Sequence, residues 1–311
     1  MKKIFIDGKA GTTGLRIEER LAQRDDVAIL TLSEEKRKDT EARREILNSS
    51  DVAFLCLPDD AAREAVSLIE NPNVVVIDTS TAHRTNPDWA YGFPELGVEF
   101  EEKIKKGKRI AVPGCHAGGF IALVYPLVAK GILPKDALLC CHSITGYSGG
   151  GKKMIAEYES ENLPTLLGAP RQYGISQSHK HLPEMVSVTG LNSAPVFCPI
   201  VAPFYSGMEV TVPLFSSQLC DGKTVEDIKA AYKELYVGPV VKYSEGGDEG
   251  GFLSSAALSG KDGMRVEVFG GGDRIILVAR YDNLGKGASG AAVECLNIIL
   301  GKDKTYGLEI Q

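Results

Sequence analysis

An apolar segment at residues 3–7 runs without a break into Gly8-Lys9-Ala10-Gly11-Thr12-Thr13-Gly14, and then into an amphipathic stretch that begins Leu15-Arg16-Ile17. No other segment limits the fold as much. Glycines set between a strand and a helix are needed where the backbone turns sharply and approaches something closely, and the helix that follows leaves its first N–H groups facing out of the turn. The rhythm then repeats. Strands at 27–32, 52–57 and 74–78 alternate with helical stretches near 13–23, 38–48 and 59–70. Short, continuously apolar strands spaced by helices imply a parallel sheet covered on both faces. The first hundred residues are expected to form a doubly wound α/β domain of Rossmann type.

From about residue 137 the pattern changes. Segments 138–145, 196–202, 208–217, 264–269 and 274–281 read as strands, several alternating and joined without helices between them. Thr224-Val225-Glu226-Asp227 is a capping-box pattern that opens a helix to about residue 236, with Asp where Glu or Gln is usual. This half is expected to be α+β with a mixed, largely antiparallel sheet. Residues 285–290 lead into an apolar helix, 291–300, suited to cover the first domain. The expected division is 1–115 with 287–311 returning to it, and 116–286.

The 311 residues, 43% hydrophobic and 24% charged, are enough for two cores, and a net charge of −6 gives no broad attraction for a nucleic-acid backbone or an anionic membrane. Two uncharged stretches, 110–129 and 185–208, are interrupted by Gly and Pro and do not read as membrane spans. The first residues read as a buried strand, without a long apolar region and cleavage site. Seven cysteines, scattered without zinc spacing, fit reduced thiols in a cytoplasmic protein with no metal.

The turn at Gly8, Gly11, Thr12, Thr13 and Gly14 has the physics of a dinucleotide site, since a close-approaching backbone and a helix start suit a pyrophosphate. Its spacing departs from GxGxxG, with Ala10 at the second glycine; a tight turn without ligand is the alternative. Strand two ends in Leu32-Ser33 rather than in an acid, and Lys36, Arg37 and Lys38 follow. A missing acid with cations nearby favours the 2′-phosphate of NADP(H). The same residues also read as a solvated mixed-charge loop.

Cys115 lies in Pro113-Gly114-Cys115-His116-Ala117, after a strand and at the start of a helix expected near residue 117. A helix start stabilises a thiolate, and its amides can hold an oxyanion, so Cys115 is the candidate nucleophile. The segment Ser178-His179-Lys180-His181-Leu182-Pro183-Glu184 offers an acid/base: in an extended chain His179 and His181 share a face, and Glu184 can orient one imidazole. His116 follows the thiol directly but points away if a turn intervenes.

The order of Gly8 to Gly14, Asp78-Thr79-Ser80-Thr81-Ala82-His83-Arg84, Gly92-Phe93-Pro94-Glu95, the Cys115 segment, Gly146-Tyr147-Ser148-Gly149-Gly150-Gly151, His179 to Glu184 and Asp282-Asn283-Leu284-Gly285-Lys286-Gly287 resembles the semialdehyde dehydrogenases that act on acyl phosphates. Within them it is similar to the short N-acetyl-gamma-glutamyl-phosphate reductases. The resemblance implies NADPH-dependent reduction of N-acetyl-L-glutamyl 5-phosphate to the 5-semialdehyde in arginine biosynthesis, with release of inorganic phosphate. It also implies a homodimer or homotetramer built through the second domain.

Carried over to this chain, the resemblance makes Cys115 the attacking thiol and His181, ahead of His179, the acid/base, with His179 and Glu184 in support. Arg84 and His116 are assigned to substrate, and Ser148, Gly149 and Asn283 to the nicotinamide. Gly285 stands where a larger residue is common. A surface arginine is the alternative for Arg84, and ordinary turns for the glycine-rich segments. The chemistry needs thioester and cofactor side by side, so Cys115 is expected at an interdomain boundary with His181 reaching it from the second domain. The alternatives are an aspartate or amino-adipyl semialdehyde dehydrogenase and, from another class, a nucleotide-binding protein without turnover.

Overall fold

The computed structural model describes residues 1–310 and divides into two compact units. The first comprises Met1–Pro94, Val98–Gly114 and Ala288–Leu308. Its elements are β1 (Lys2–Asp7), α1 (Thr12–Ala22), β2 (Val27–Leu30), α2 (Thr40–Ser49), β3 (Val52–Leu55), α3 (Asp59–Ser67), β4 (Val75–Asp78), β5 (Ala90–Tyr91), α4 (Val98–Lys106) and β6 (Arg109–Ala111), with the late helix Gly290–Ile299.

All strand pairs of this unit are parallel, in the order β2-β1-β3-β4-β6-β5. Because side chains alternate along a strand, β1 feeds two cores. Ile4 and Ile6 join Phe54, Ile17, Leu21, Ile104 and, from the late helix, Ala292, Cys295 and Leu296. Phe5 joins Leu47, Ala53, Leu55, Ala62 and Ala65 on the opposite face. This is the doubly wound arrangement the sequence implied, with Gly290–Ile299 returning to cover it. The order reverses between β1 and β3, and crevices at such points, at the carboxyl ends of the strands, take ligands in open α/β sheets.

Two elements of the first unit were not expected, β5 and α4, whereas β6 is the strand read just before Cys115. Helix α4 buries only Ile104, so its apolar periodicity is faint. Its sign was charge order instead, with Glu99 and Glu101 in the first turn, lysines in the last and a Glu102–Lys106 pair at 2.7 Å.

The second unit holds Cys115–Gly287 with residues 95–97 and the chain end from Glu309. It contains α5 (Cys115–Ala129), β7 (Cys140–Gly146), α6 (Gly151–Tyr158), β8 (Arg171–Gln172), α7 (Leu182–Thr189), β9 (Val196–Ala202), β10 (Met208–Phe215), α8 (Val225–Leu235), β11 (Val241–Tyr243), β12 (Met264–Gly271) and β13 (Arg274–Tyr281). The sheet runs β11-β12-β13-β10-β7-β9-β8 and is mixed, with β11/β12 and β7/β9 parallel and the other pairs antiparallel. Compared with the division read from sequence, Cys115 and Glu95 fall in this second unit. Cys115 is the first residue of α5, and Glu95 is ion-paired to Lys286 at 2.7 Å.

Helix α5 corrects two expectations. It starts at Cys115 itself, and Gly118, Gly119 and Pro126 do not break it. Proline at 126 removes the N–H that would bond the carbonyl of Ala122. That buried carbonyl accepts instead from the Tyr236 hydroxyl at 2.6 Å, and the carbonyl of Leu123 accepts from Tyr232 at 2.5 Å. Tyrosines from α8 and the segment after it thus repair a buried helix that the sequence alone reads as interrupted. Among the described residues no helix is long and apolar enough to cross a membrane.

Candidate active site

In the first unit the glycine-rich turn has the expected shape. Gly8 has φ +84°, and a methyl group there would fall on the Cys56 carbonyl at the end of β3. A methyl at Gly14 would come within 2.7 Å of the Lys9 main chain, so the second and last of these glycines to matter sterically lets α1 lie against the loop. Gly11 is the N-cap of α1 and gives no side-chain cap, which leaves the first-turn amides of Thr12 and Thr13 available to an anion.

A recess beside this turn is lined by Gly8, Lys9, Ala10, Leu30, Leu32, Arg37 and Lys38. Ser33 contributes through its carbonyl, which accepts from Lys36 N at 3.0 Å and Arg37 N at 3.1 Å and so turns the chain to bring Arg37 to the recess. The residues present therefore fit a dinucleotide carrying an extra phosphate. Arg84 is half-buried in this unit. Its Nε donates to the Val112 carbonyl and Nη2 to that of Thr79, each at 2.8 Å, so it is not a loose surface arginine.

The second unit assembles the thiol site. A single recess is lined by Cys115, His116, Thr145, Gly149, Met154, Tyr173, His179, His181 and Val201. Cys115 and His181 belong to the same unit. The histidine pair is not extended as expected: His181 has φ −83° and ψ −13° and is the N-cap of α7. The turn still brings the imidazoles together, with ring centroids 4.8 Å apart. His179 Nδ1 accepts from the His181 amide at 3.2 Å, and burial, helped by the charge of Lys180, holds its pKa below the ordinary value. Glu184 is buried in the first turn of α7.

His116 requires a correction. It does not turn away: it is buried and lines the same recess as Cys115. Its ring lies 5.8 Å from that of His179 and 5.7 Å from that of His181, while Nδ1 meets Ser143 Oγ and Nε2 meets Tyr173 Oη, each at 2.6 Å. Both ring nitrogens are thus taken by protein hydroxyls. Burial first, and His179 second, push its pKa down to about 3, so it is neutral and carries one N–H.

Ser143 is fully buried with His116 as its partner, and a buried hydroxyl that only accepted would leave its O–H unsatisfied. Ser143 therefore donates to Nδ1, and Nε2–H donates to Tyr173. The Tyr173 proton is then directed elsewhere, and Tyr173 lines the recess. Burial, and next the charge of Cys115, raise the Tyr173 pKa and keep it protonated. Ser143 and Tyr173 were missed in the sequence because isolated hydroxyls carry no pattern.

Asn283 and the 148–149 turn do come together. Asn283 Nδ2 donates to Ser148 Oγ at 3.0 Å, and Asn283 Oδ1 accepts from Gly207 N at 2.9 Å. Asp282 holds the turn after β13 by accepting from Leu284 N and Gly285 N at 2.7 and 2.9 Å. A side chain at Gly285 would overlap the Lys261 carbonyl, which is the reason no larger residue stands there. All seven cysteines are free. Burial raises Cys56 to about 12 and Cys141 still further, which makes them inert as nucleophiles.

Residues 3–106 match the family model for the semialdehyde dehydrogenase NAD binding domain, and residues 115–283 match that for the semialdehyde dehydrogenase dimerisation domain. An N-acetyl-gamma-glutamyl-phosphate reductase from Brucella ovis is 46% identical over 307 residues, covering 96% of this chain and 99% of the relative, and the one from Brucella canis matches equally. The chain belongs to the N-acetyl-gamma-glutamyl-phosphate reductases, within the semialdehyde dehydrogenase family. Solved semialdehyde dehydrogenases share its fold at low identity. Aspartate semialdehyde dehydrogenase II of Vibrio cholerae superposes with a TM-score of 0.71 at 16% identity, over 97% of this chain and 98% of that one. The enzyme from Candida albicans, solved with NADP, gives 0.66 at 16% identity, over 98% and 99%.

Proposed function

We propose that this semialdehyde dehydrogenase family member reduces N-acetyl-L-glutamyl 5-phosphate to N-acetyl-L-glutamate 5-semialdehyde with NADPH, releasing phosphate, as a step of arginine biosynthesis. The observation that carries the reading is Cys115 at the first position of α5, in one recess with His179, His181 and Tyr173. The Cys115 thiolate attacks the acyl carbon, the carbon–oxygen bond to phosphate breaks, and a thioester is left on the enzyme. Splitting the reaction this way replaces one hard step by two easier ones.

When bound, NADPH supplies the hydride that converts the thioester to a tetrahedral oxyanion, from which the thiolate departs to leave the aldehyde. His181 serves as acid/base, since His179 spends Nδ1 on the His181 amide. The first amides of α5 and the directed Tyr173 hydroxyl stabilise the oxyanion. Glu184 supports the histidines electrostatically, Arg84 binds an anionic group of the substrate, and His116 lines the substrate recess and orders Tyr173. Gly8, Gly11, Thr12, Thr13 and Gly14 hold the pyrophosphate, Arg37 and Lys38 the 2′-phosphate, and Ser148, Gly149 and Asn283 the nicotinamide side.

The test is the reverse reaction: phosphate-dependent reduction of NADP by N-acetylglutamate semialdehyde, with aspartate semialdehyde in parallel. Turnover with the acetylated substrate is expected. Turnover with aspartate semialdehyde alone would move the enzyme to that substrate, and turnover with neither would overturn the reductase reading. Arg37→Ala should raise the KM for NADPH by about tenfold or more, the scale of one charge-assisted hydrogen bond, and leave NADH unaffected. An equal rise for both cofactors would sink that role.

A homo-oligomer is supported by an exposed apolar face on the sheet of the second unit. Val210 faces α5, so Pro213 and Phe215 point the other way, and Ile276 stands opposite Pro213 on the same face. Phe215 is 56% exposed and Ile276 41%, on a segment matched by a model described as a dimerisation domain. A second copy of this chain is the occupant. Sedimentation should give a homodimer or homotetramer, and Phe215→Asp with Ile276→Asp should shift it to monomer; a monomeric parent would end the assignment. Free thiols fit a cytoplasmic location, which cell fractionation would check.

A further inference from the structure

The segment that leaves β13 touches the nucleophile's helix at two points. The Tyr281 hydroxyl donates to the carbonyl of Cys115 and accepts from the amide of Gly119 at 3.0 Å. In an unperturbed helix these two groups would bond to each other, because the N–H of one residue meets the carbonyl four residues earlier. Six residues on, Gly287 stands against the same cysteine, where a methyl group would come 3.1 Å from Cys115 Cβ and 3.4 Å from its Cα. The main chain of Cys115 is therefore held by its carbonyl and closed in at its Cβ by one continuous stretch of chain.

We propose that Tyr281 is a positioning residue for the Cys115 nucleophile: its hydroxyl ties the first turn of α5 to β13, and Gly119 is glycine to leave that hydroxyl its place. A methyl group at Gly119 would lie 2.5 Å from Tyr281 Oη and 2.6 Å from Val210 Cγ2. Tyr281 is fully buried, and that burial, with the charge of Cys115 behind it, keeps the phenol protonated far above the usual tyrosine range. The grip therefore persists at every pH at which the enzyme works. Fixing the Cys115 peptide fixes its Cα–Cβ direction, which limits where Sγ can stand relative to the first-turn amides. Tyr281 is not among the residues that line the recess, and its hydroxyl is engaged by the Cys115 carbonyl and the Gly119 amide, so it acts through Cys115.

The inference rests on Cys115 being the nucleophile of the function proposed above, so its test needs a readout that does not involve the substrate. Alkylation of the whole enzyme by iodoacetamide, followed by peptide mapping, gives the rate at Cys115 as a function of pH. Tyr281→Phe is expected to fold, because the Gly119 amide and the Cys115 carbonyl can then pair with each other. Its Cys115 alkylation should slow with the midpoint moved to higher pH, and kcat should fall by on the order of 10²-fold, the cost of misplacing a reacting group by about 1 Å, at nearly unchanged KM.

Gly119→Ala keeps the phenol and displaces it, so it should move the alkylation profile the same way and carries the test if the Phe variant does not fold. Folded variants with the parent's alkylation profile and kcat would overturn the proposal. A parent whose Cys115 reacts no faster than its other exposed thiols would instead overturn the nucleophile itself, which separates failure of the function from failure of this inference.

Discussion

Cys115→Ser is expected to lower kcat/KM by about 10⁴-fold or more, the scale on which loss of a covalent nucleophile acts. The reason lies in ionisation and polarisability. A helix start stabilises an anion by a few tenths of a kcal/mol to ~2 kcal/mol, enough to matter for a thiol that already ionises near neutrality and far too little for an alcohol. The seryl oxygen also gives an ester, which is less open to hydride than a thioester. Cofactor affinity should be unchanged, because the glycine turn and the Arg37 recess are built from other elements. Steady-state assays and cofactor titration of the same preparation check both halves. Residual activity within about tenfold of the parent would mean that the chemistry runs without an acyl-enzyme.

The second large effect is acid sensitivity from His116. In an unfolded chain its pKa is 6.5, and in the folded protein burial and His179 hold it at about 3. Above pH 6.5 both states are neutral and His116 costs nothing. As pH falls below that value the unfolded chain takes up a proton that the folded one refuses, so stability drops by about 1.4 kcal/mol per pH unit and levels off only near the folded pKa. Between pH 6.5 and 4.5 the loss is about 2 kcal/mol, and His179, shifted in the same direction, adds to it.

Denaturant unfolding at the two pH values should show this loss in the parent and a shallower slope in His116→Gln. In ring NMR spectra His116 should not titrate above pH 4.5; a midpoint near 6.5 would sink the buried, neutral assignment. The functional corollary is that His116 lends no positive charge to Cys115. That leaves the helix start of α5 to stabilise a thiolate, while His116 holds Ser143 and Tyr173 in one hydrogen-bonded chain.

Sequence periodicity was sufficient for the first unit because its strands are buried on both faces and so are apolar throughout. β2, β3 and β4 fall within the segments read as strands, and β1 starts one residue earlier than its segment. It failed for α4, where one buried isoleucine leaves no stripe to detect. It placed the start of α5 near residue 117, two residues late, and gave no account of how the helix runs through glycine and proline, which weaken an isolated helix. In the protein that helix is surrounded, and two tyrosine hydroxyls meet the carbonyls that the Pro126 kink would expose. Propensity was overruled by burial and by partners more than a hundred residues away.

The same division runs through the site. The residues whose types and spacing carry chemistry were legible: Cys115 at a helix start, His179 and His181 close together, and a glycine-rich turn after the first strand. Backbone geometry makes these local, so a short stretch of sequence determines them. The roles that depend on distant partners were decided by tertiary structure. Ser143 and Tyr173 take both nitrogens of His116, and nothing in residues 115–117 announces a serine on β7 or a tyrosine after β8. Tyr281, which reaches across 166 residues to the Cys115 carbonyl, gives no sign in the sequence. The chain by itself determined which groups can react; the fold decided their protonation and direction, because both are set by burial and by hydrogen bonds that only packing brings within reach.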